Sequence, residues 1–226
     1  MLKSARRSRT SYVGPWLPEP LHTITKTTPE DDVVLASSLT TAFLMLLERL
    51  TPKERAAYLL YDIFDYSFAG ISKTLNIQEA ACRKLVSRAR RCITQEKVRF
   101  SPSKDQQKQL LKSFQRALET GTTQDLSKLL SDQIELRADS GGKVIAVREV
   151  LSGKAAVLTF VSEVLSHAWN VLKMEVIEIN GSLGLVVKEE GAVIASISFG
   201  FQEVGEVQNI FIMRNPDKLT RLDGQS

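Results

Sequence analysis

Ser67-Phe68-Ala69-Gly70-Ile71-Ser72-Lys73-Thr74-Leu75-Asn76-Ile77-Gln78-Glu79-Ala80-Ala81-Cys82-Arg83-Lys84-Leu85-Val86-Ser87-Arg88-Ala89-Arg90-Arg91 is the stretch on which the reading of this chain turns. Its apolar spacing predicts a short helix over Ser67 to Leu75, a turn through Asn76 and Ile77, and a longer helix from Gln78 to about Lys97. Phe68, Ile71, Leu75, Ile77, Ala81, Leu85 and Val86 are placed to pack as the joint between the two. This is the layout of a helix-turn-helix, whose second helix enters the DNA major groove. Charge agrees. From Arg83 to Arg99 there are seven Lys or Arg residues and one acid, Glu96. They surround an apolar stripe of Leu85, Val86, Ala89 and Ile93. Guanidinium groups suit both paired hydrogen bonds to guanine edges and contacts to phosphates.

Upstream, Thr51-Pro52-Lys53-Glu54 starts a helix of its own: Thr51 as N-cap, Pro52 at the first helical position, Glu54 closing a capping box, with the helix running to about Phe64. Before it, Val34, Leu35, Leu39, Phe43, Leu46, Leu47 and Leu50 recur at helical spacing behind Asp31 and Asp32. Residues 1–30 read as a linker, punctuated by Gly14, Pro15, Pro18, Pro20 and Pro29 around Trp16-Leu17-Pro18-Glu19-Pro20. A disordered arm is one reading of it; Trp16, which needs somewhere to pack, argues for the other.

Downstream the pattern changes. A polar joint covers residues 98–106, then Leu110, Leu111, Phe114 and Leu118 mark a long amphipathic helix, and Leu126, Leu129 and Leu130 a short one. A further helix covers Gly153 to His167. Val193, Ala195, Ile197 and Phe199 alternate as a strand, the segment with Val207, Asn209 and Phe211 continues the alternation, and Asn180-Gly181 and Glu190-Gly191 read as hairpin turns. Helices followed by a curved antiparallel sheet give an all-α helix-turn-helix unit at 31–97 and an α+β domain at 107–222.

Composition sets bounds. The 226 residues are 43% hydrophobic and 25% charged, with a formal charge of +4. No apolar run reaches the roughly 18–20 residues of a membrane span, so a membrane is not an expected partner. The basic start of the chain, Lys3, Arg6, Arg7 and Arg9, has no apolar run behind it to make a secretory signal. Cys82 and Cys92 fall on different faces of one expected helix, which favours neither a disulfide nor a metal site, and a reduced, cytoplasmic protein is the natural reading. Nothing assembles a nucleophile, a base and an orienting group, so neither catalysis nor a cofactor is expected. His167 reads as a surface or capping residue, Trp169 as wall packing, and Asp139 with Lys143 either as a functional polar pair or as a loop charge pair.

Leu50-Thr51-Pro52-Lys53-Glu54-Arg55, Phe64-Asp65-Tyr66-Ser67-Phe68 and Ala81-Cys82-Arg83-Lys84-Leu85-Val86-Ser87-Arg88-Ala89-Arg90-Arg91 resemble region 4 of extracytoplasmic-function sigma factors. The resemblance implies reading of the promoter −35 element and contact with the β flap of RNA polymerase. Arg83, Lys84, Ser87 and Arg88 become the candidates for base-proximal or phosphate contacts, and Arg90 and Arg91 for phosphates. Tyr12-Val13-Gly14-Pro15-Trp16-Leu17-Pro18-Glu19-Pro20, Asp139-Ser140-Gly141-Gly142-Lys143 and Asn215-Pro216-Asp217-Lys218-Leu219 resemble three motifs of a subgroup with a C-terminal SnoaL-like domain of the NTF2-like fold. That resemblance implies regulation in cis, with Trp16, Pro18, Asp139, Gly141, Gly142, Lys143, Asn215, Pro216, Asp217 and Lys218 as the motif residues. It leaves open a small-molecule ligand in the cone that an NTF2-like fold makes. Departures are Gly70 for a glutamate, Ser72 for an alanine, Gln78 for a serine and Ser140 for a glycine. Region 2, which precedes the linker in the family, is represented only by Met1 to Ser11, so initiation by this chain alone is not expected, and region 2 counts as a partner within an intact protein. Two other readings stay open: a ligand-binding or cyclase-like enzyme with an accessory DNA-binding arm, and a regulator that competes for the flap or the promoter.

Overall fold

A computed structural model describes residues 12–21, 40–95, 102–202 and 205–223. Asp31, Asp32, Val34, Leu35, Leu39, Glu96, Lys97 and Arg99, which entered the sequence reading, lie outside the described residues.

Among the described residues, four helices form the first unit: α1 (Thr41–Leu47), α2 (Pro52–Tyr58), α3 (Phe68–Leu75) and α4 (Glu79–Gln95). Thr40 caps α1 from an extended conformation, accepting from the Phe43 N–H, so this helix starts at Thr41 and the run expected from Asp31 does not pass continuously into it. Thr51, Pro52 and Glu54 form the expected capping box. Arg55 then ties α2 back to the end of α1, donating from Nε to the Leu47 carbonyl (2.9 Å) and pairing with Glu48 (2.7 Å). Beyond Tyr58 the helix widens into a π-helical segment, Leu59–Ile63.

Asn76 sits in the left-handed region (φ 51°) and closes α3, the turn that Asn tolerates well. Gly70, the departure from glutamate, lies in the first turn of α3, where its N–H donates to the Ser67 hydroxyl. Two small cores hold the unit. Phe43, Leu46, Leu47, Leu50, Tyr58, Ala89 and Ile93 pack where α1 and α2 meet α4. Ala57, Ile71, Cys82 and Val86 pack beneath the turn, with Phe68, Leu75, Ile77 and Leu85 beside them. Cys82 takes the buried place that the spacing assigned to Ala81.

The second unit begins with α5 (Lys104–Thr120), capped reciprocally by Ser103 and Gln106, and α6 (Gln124–Ser127). Then come β1 (Leu130–Asp139), β2 (Leu151–Ser152), α7 (Lys154–Thr159), a π-helical segment (Phe160–Leu165), α8 (Ser166–Trp169), β3 (Lys173–Ile179), β4 (Ser182–Glu189), β5 (Ala192–Phe201), β6 (Val207–Met213) and α9 (Pro216–Asp223). Leu130 opens β1 and does not extend the short helix read from Leu126, Leu129 and Leu130. The helix expected from 153 to 167 is present, interrupted by the π-helical segment.

The sheet order is β2-β1-β6-β5-β4-β3, antiparallel throughout except for β1 beside β6. Asn180-Gly181 (φ 49° and 74°) and Glu190-Gly191 (φ 50° and 88°) make the β3–β4 and β4–β5 hairpin turns, both residues of each lying left-handed. One sheet face packs Leu136, Leu185, Ile197, Phe199 and Ile210 against Phe114 and Leu118 of α5 and Val161, Leu165 and Trp169 behind α7. The opposite face carries Val186, Val193, Phe211 and Met213. It is covered by Leu17 of the linker, Ala42 of α1, and Leu219 and Leu222 of α9. The α+β domain therefore has helices or linker on both faces of its sheet.

Candidate nucleic-acid interface and linker strap

Burial of Val86, Ala89 and Ile93 fixes which way α4 faces. The residues between them point outward by helical spacing, and Arg83, Lys84, Ser87, Arg88 and Arg91 line one shallow exposed depression. Arg83 is held in place: its guanidinium lies 4.7 Å from the Phe68 ring centroid, and it reaches Glu79 one turn back (3.3 Å). Phe68 in turn stacks on Tyr61 at 4.3 Å. Arg90 stands apart from the other candidates. It makes a forked pair with Asp62 (3.0 and 2.8 Å) and lies over Tyr61 at 5.0 Å, so it ties α4 to the segment after α2. That hydrogen bond pushes the guanidinium pKa further up. Both cysteines are free, and burial pushes the Cys82 thiol up.

The three motifs scattered along the rest of the chain meet at one carboxylate. Strand alternation turns Ala138 into the main core and Asp139 to the opposite face, where it is fully buried. Asp139 accepts from the Tyr12 hydroxyl (2.6 Å), the Leu17 N–H (2.8 Å), the Gly141 N–H (3.0 Å) and Lys218 Nζ (2.7 Å). Lys218 also donates to the Leu17 carbonyl (2.7 Å) and lies 4.4 Å from the Trp16 ring centroid. Asn215 donates to the Tyr12 oxygen (2.8 Å), and Pro216 opens α9. Burial first, then hydrogen bonding to Asp139, pushes the Tyr12 phenol pKa well up. The Asp139–Lys143 pair considered from the sequence does not form. Asp139 pairs with Lys218, while Lys143 pairs with Asp217.

Gly141 and Gly142 supply the positive φ of the loop (59° and 74°), so Ser140 in place of a glycine leaves those positions intact. A Cβ on Gly141 would stand 2.5 Å from Asn215 Nδ2, which explains glycine there. Pro18 is half-buried in the strap.

The strap continues to the first unit. Asn180, left-handed in its turn, accepts from the Leu21 N–H (3.0 Å) and donates its own N–H to the Leu21 carbonyl (2.9 Å). Its Nδ2 donates to Thr41 Oγ1 (3.1 Å), which the Ser198 hydroxyl also reaches (3.0 Å). Beside this buried knot, Gly200 lets Ala42 come close: an added Cβ would lie 3.1 Å from the Ala42 Cβ. Tyr12, Leu17, Asn180, Thr41 and Ser198 were not singled out from the sequence. Tyr12 and Leu17 lay inside a quoted motif, and the positive-φ turn was the signal for Asn180.

His167 is exposed at the end of the helix, and Trp169 is buried in the main core with Arg214 at 6.0 Å from its ring. Asp139 lies on the sheet face opposite the one that packs against α5. No helix among the described residues is long and apolar enough to cross a membrane.

Comparison with known proteins follows this division. The model of sigma-70 region 4 matches residues 40–93. The ECF RNA polymerase sigma factor SigJ of Mycobacterium tuberculosis is 30% identical over 229 aligned residues, which cover 97% of this chain and 73% of the relative. A probable ECF RNA polymerase sigma factor SigI from the same species is 29% identical over 64% of this chain and 49% of its own length. The crystal structure of M. tuberculosis SigJ superposes with a TM-score of 0.70 at 28% identity, over 93% of this chain and 76% of that one.

Proposed function

This chain belongs to the extracytoplasmic-function RNA polymerase sigma factors, and from that premise we propose that α3 and α4 read the promoter −35 element through Arg83, Lys84, Ser87 and Arg88, with Arg91 on a phosphate. Promoter DNA and RNA polymerase are the partners that a sigma factor implies. The observation that carries the residue assignment is the exposed depression on α4 that gathers these side chains while Val86, Ala89 and Ile93 hold its back. Residues early in a recognition helix reach base edges and later ones hold phosphates.

The same proposal divides the chain into a linker (1–30), region 4 (31–97), a joint (98–106) and a SnoaL-like domain (107–222). It takes the β flap as the polymerase contact, and gives the C-terminal domain a regulatory role in cis. Support for that role comes from the strap on Asp139 and from the knot at Thr41, through which linker, sheet and α1 share buried hydrogen bonds. An enzymatic reading gains nothing from His167, which is exposed, or from Asp139, whose carboxylate is taken up by Tyr12, Leu17, Gly141 and Lys218.

The test is titration of short duplexes across a salt series with the parent chain, Arg83→Ala and Arg88→Ala. Sequence-selective binding that weakens steeply with salt, and a loss of selectivity in the variants worth about 1–3 kcal/mol, is expected. Sequence-blind binding indifferent to both substitutions overturns the assignment.

A further inference from the structure

Lys104, Lys108, Lys112 and Arg116 recur at every fourth residue of α5 and are all exposed, while Leu110, Leu111, Phe114, Ala117 and Leu118 bury the other side. The arrangement runs against helix physics in two ways. Like charges four residues apart repel, and here three such pairs follow one another. Lys104 also stands at the first helical position, at the positive end of the helix dipole. The surrounding sequence makes the ridge more unusual. Residues 102–223 carry 14 Lys or Arg against 16 Asp or Glu, while α5 within them carries four against two. Arg116 has a carboxylate partner in Asp125, but Lys104, Lys108 and Lys112 have no ion-pair partner among the described residues.

Resting on the DNA-binding reading above, we propose that this ridge is a second polyanion contact, holding the phosphates of duplex DNA beside the segment that α4 reads. Four cations about 6 Å apart along about 18 Å of helix span roughly five base-pair steps. The ridge is also within reach: the nine-residue step from Gln95 to Lys104 extends at most about 30 Å, or roughly nine base pairs. The ridge presents charge without an exposed apolar stripe beside it, because the apolar stripe of α5 is in the core. A membrane-surface helix would need that stripe free to insert, so duplex phosphates fit better than a lipid surface.

The experiment uses the full chain and the triple variant Lys104→Gln, Lys108→Gln, Lys112→Gln, with Arg88→Ala as the reference. Each is titrated in a salt series with mixed-sequence duplexes of about one and about three helical turns, and with anionic phosphatidylserine vesicles. On the longer duplex the triple variant is expected to bind more weakly whatever the sequence, with the slope of log affinity against log salt reduced by up to about 2.7, at about 0.9 per phosphate released. On the one-turn duplex it is expected to match the parent, while Arg88→Ala weakens both. Superimposable curves for parent and triple variant, with Arg88→Ala still impaired, overturn the ridge and leave the α4 reading standing. Equal loss on both lengths, or loss on vesicles alone, overturns it as well. No duplex binding by the parent overturns both. Matching thermal melts of parent and variant exclude a folding defect.

Discussion

The two units of this molecule use their cations in opposite ways. On α4, Lys84, Arg88 and Arg91 stand exposed around a shallow depression, with a small apolar core behind them. In the α+β domain, Lys218 is drawn inward onto the fully buried Asp139, between the Trp16 and Tyr12 rings, so that the linker and β1 supply its partners. Exposed cations contribute little to folding and stay available to an outside anion. A buried pair has already lost its water, so it is specific to one arrangement and costly to break. The first region leaves its charge open, whereas the second holds the linker in place.

The sharpest break of this contrast is Asp139→Asn. It leaves Lys218 Nζ buried without its counter-charge, and a loss of about 3–5 kcal/mol in urea unfolding is expected. The linker around Leu17 should become protease-sensitive at the same time. Adding Lys218→Met should restore part of the loss, since the orphaned charge is gone. A loss below about 1 kcal/mol with the linker still protected would mean that the strap is not held by this pair.

Thr41→Val probes the link between the regions. The shape is kept, but Asn180 Nδ2 and Ser198 Oγ lose their shared partner inside a buried contact. A cost of about 1–3 kcal/mol is expected. Hydrogen exchange should rise in α1 before it rises in β4 or β5. Uniform change across the sheet would show that Thr41 supports the domain as a whole and not the docking of α1.

Arg90 and Arg88 sharpen the comparison within one helix. Arg90→Ala removes a half-exposed pair with Asp62 and its contact over Tyr61, so a stability loss of up to about 1 kcal/mol is expected. Arg88→Ala should leave the melting curve within about 0.5 kcal/mol of the parent and act on DNA binding instead. The reverse pattern would exchange their roles.

These contrasts also explain what could be read in advance. Caps and turns are local, so the Thr51–Glu54 box, the Asn76 turn and the Asn180 and Glu190 hairpins were legible from neighbouring residues. The helix-turn-helix joint followed from apolar spacing, with Cys82 in place of Ala81 as its one shift of register. Leu130 misled because a short apolar run has no period that separates a helix end from a buried strand. The partner of Asp139 was not legible. Lys143 is four residues away and Lys218 is seventy-nine away, and only the turn of β1 and the start of α9 bring the distant one to it. Likewise, Arg90 looked equivalent to Arg91 until the segment after α2 placed Asp62 against it.

The smallest expected effect lies at the far edge of the sheet, where an ion cluster is neither buried like Asp139 nor left open like α4. Glu175 on β3 pairs with Lys173 (2.8 Å) and, across the hairpin, with Lys188 of β4 (2.7 Å). Hydrogen bonds from Lys173 and then Lys188 lower its carboxyl from 4.5 to about 2. With a depressed folded-state pKa, the unfolded chain binds its proton first as pH falls. Any stabilisation is therefore complete above about pH 4.5 and disappears between there and about pH 2. Because the group is solvent-accessible, screening by salt should erase much of it. An NMR titration should place the Glu175 midpoint near 2 in the parent, and Lys188→Met should move it back toward the ordinary carboxylate range. A midpoint already ordinary in the parent would show that water, not the two lysines, solvates this carboxylate.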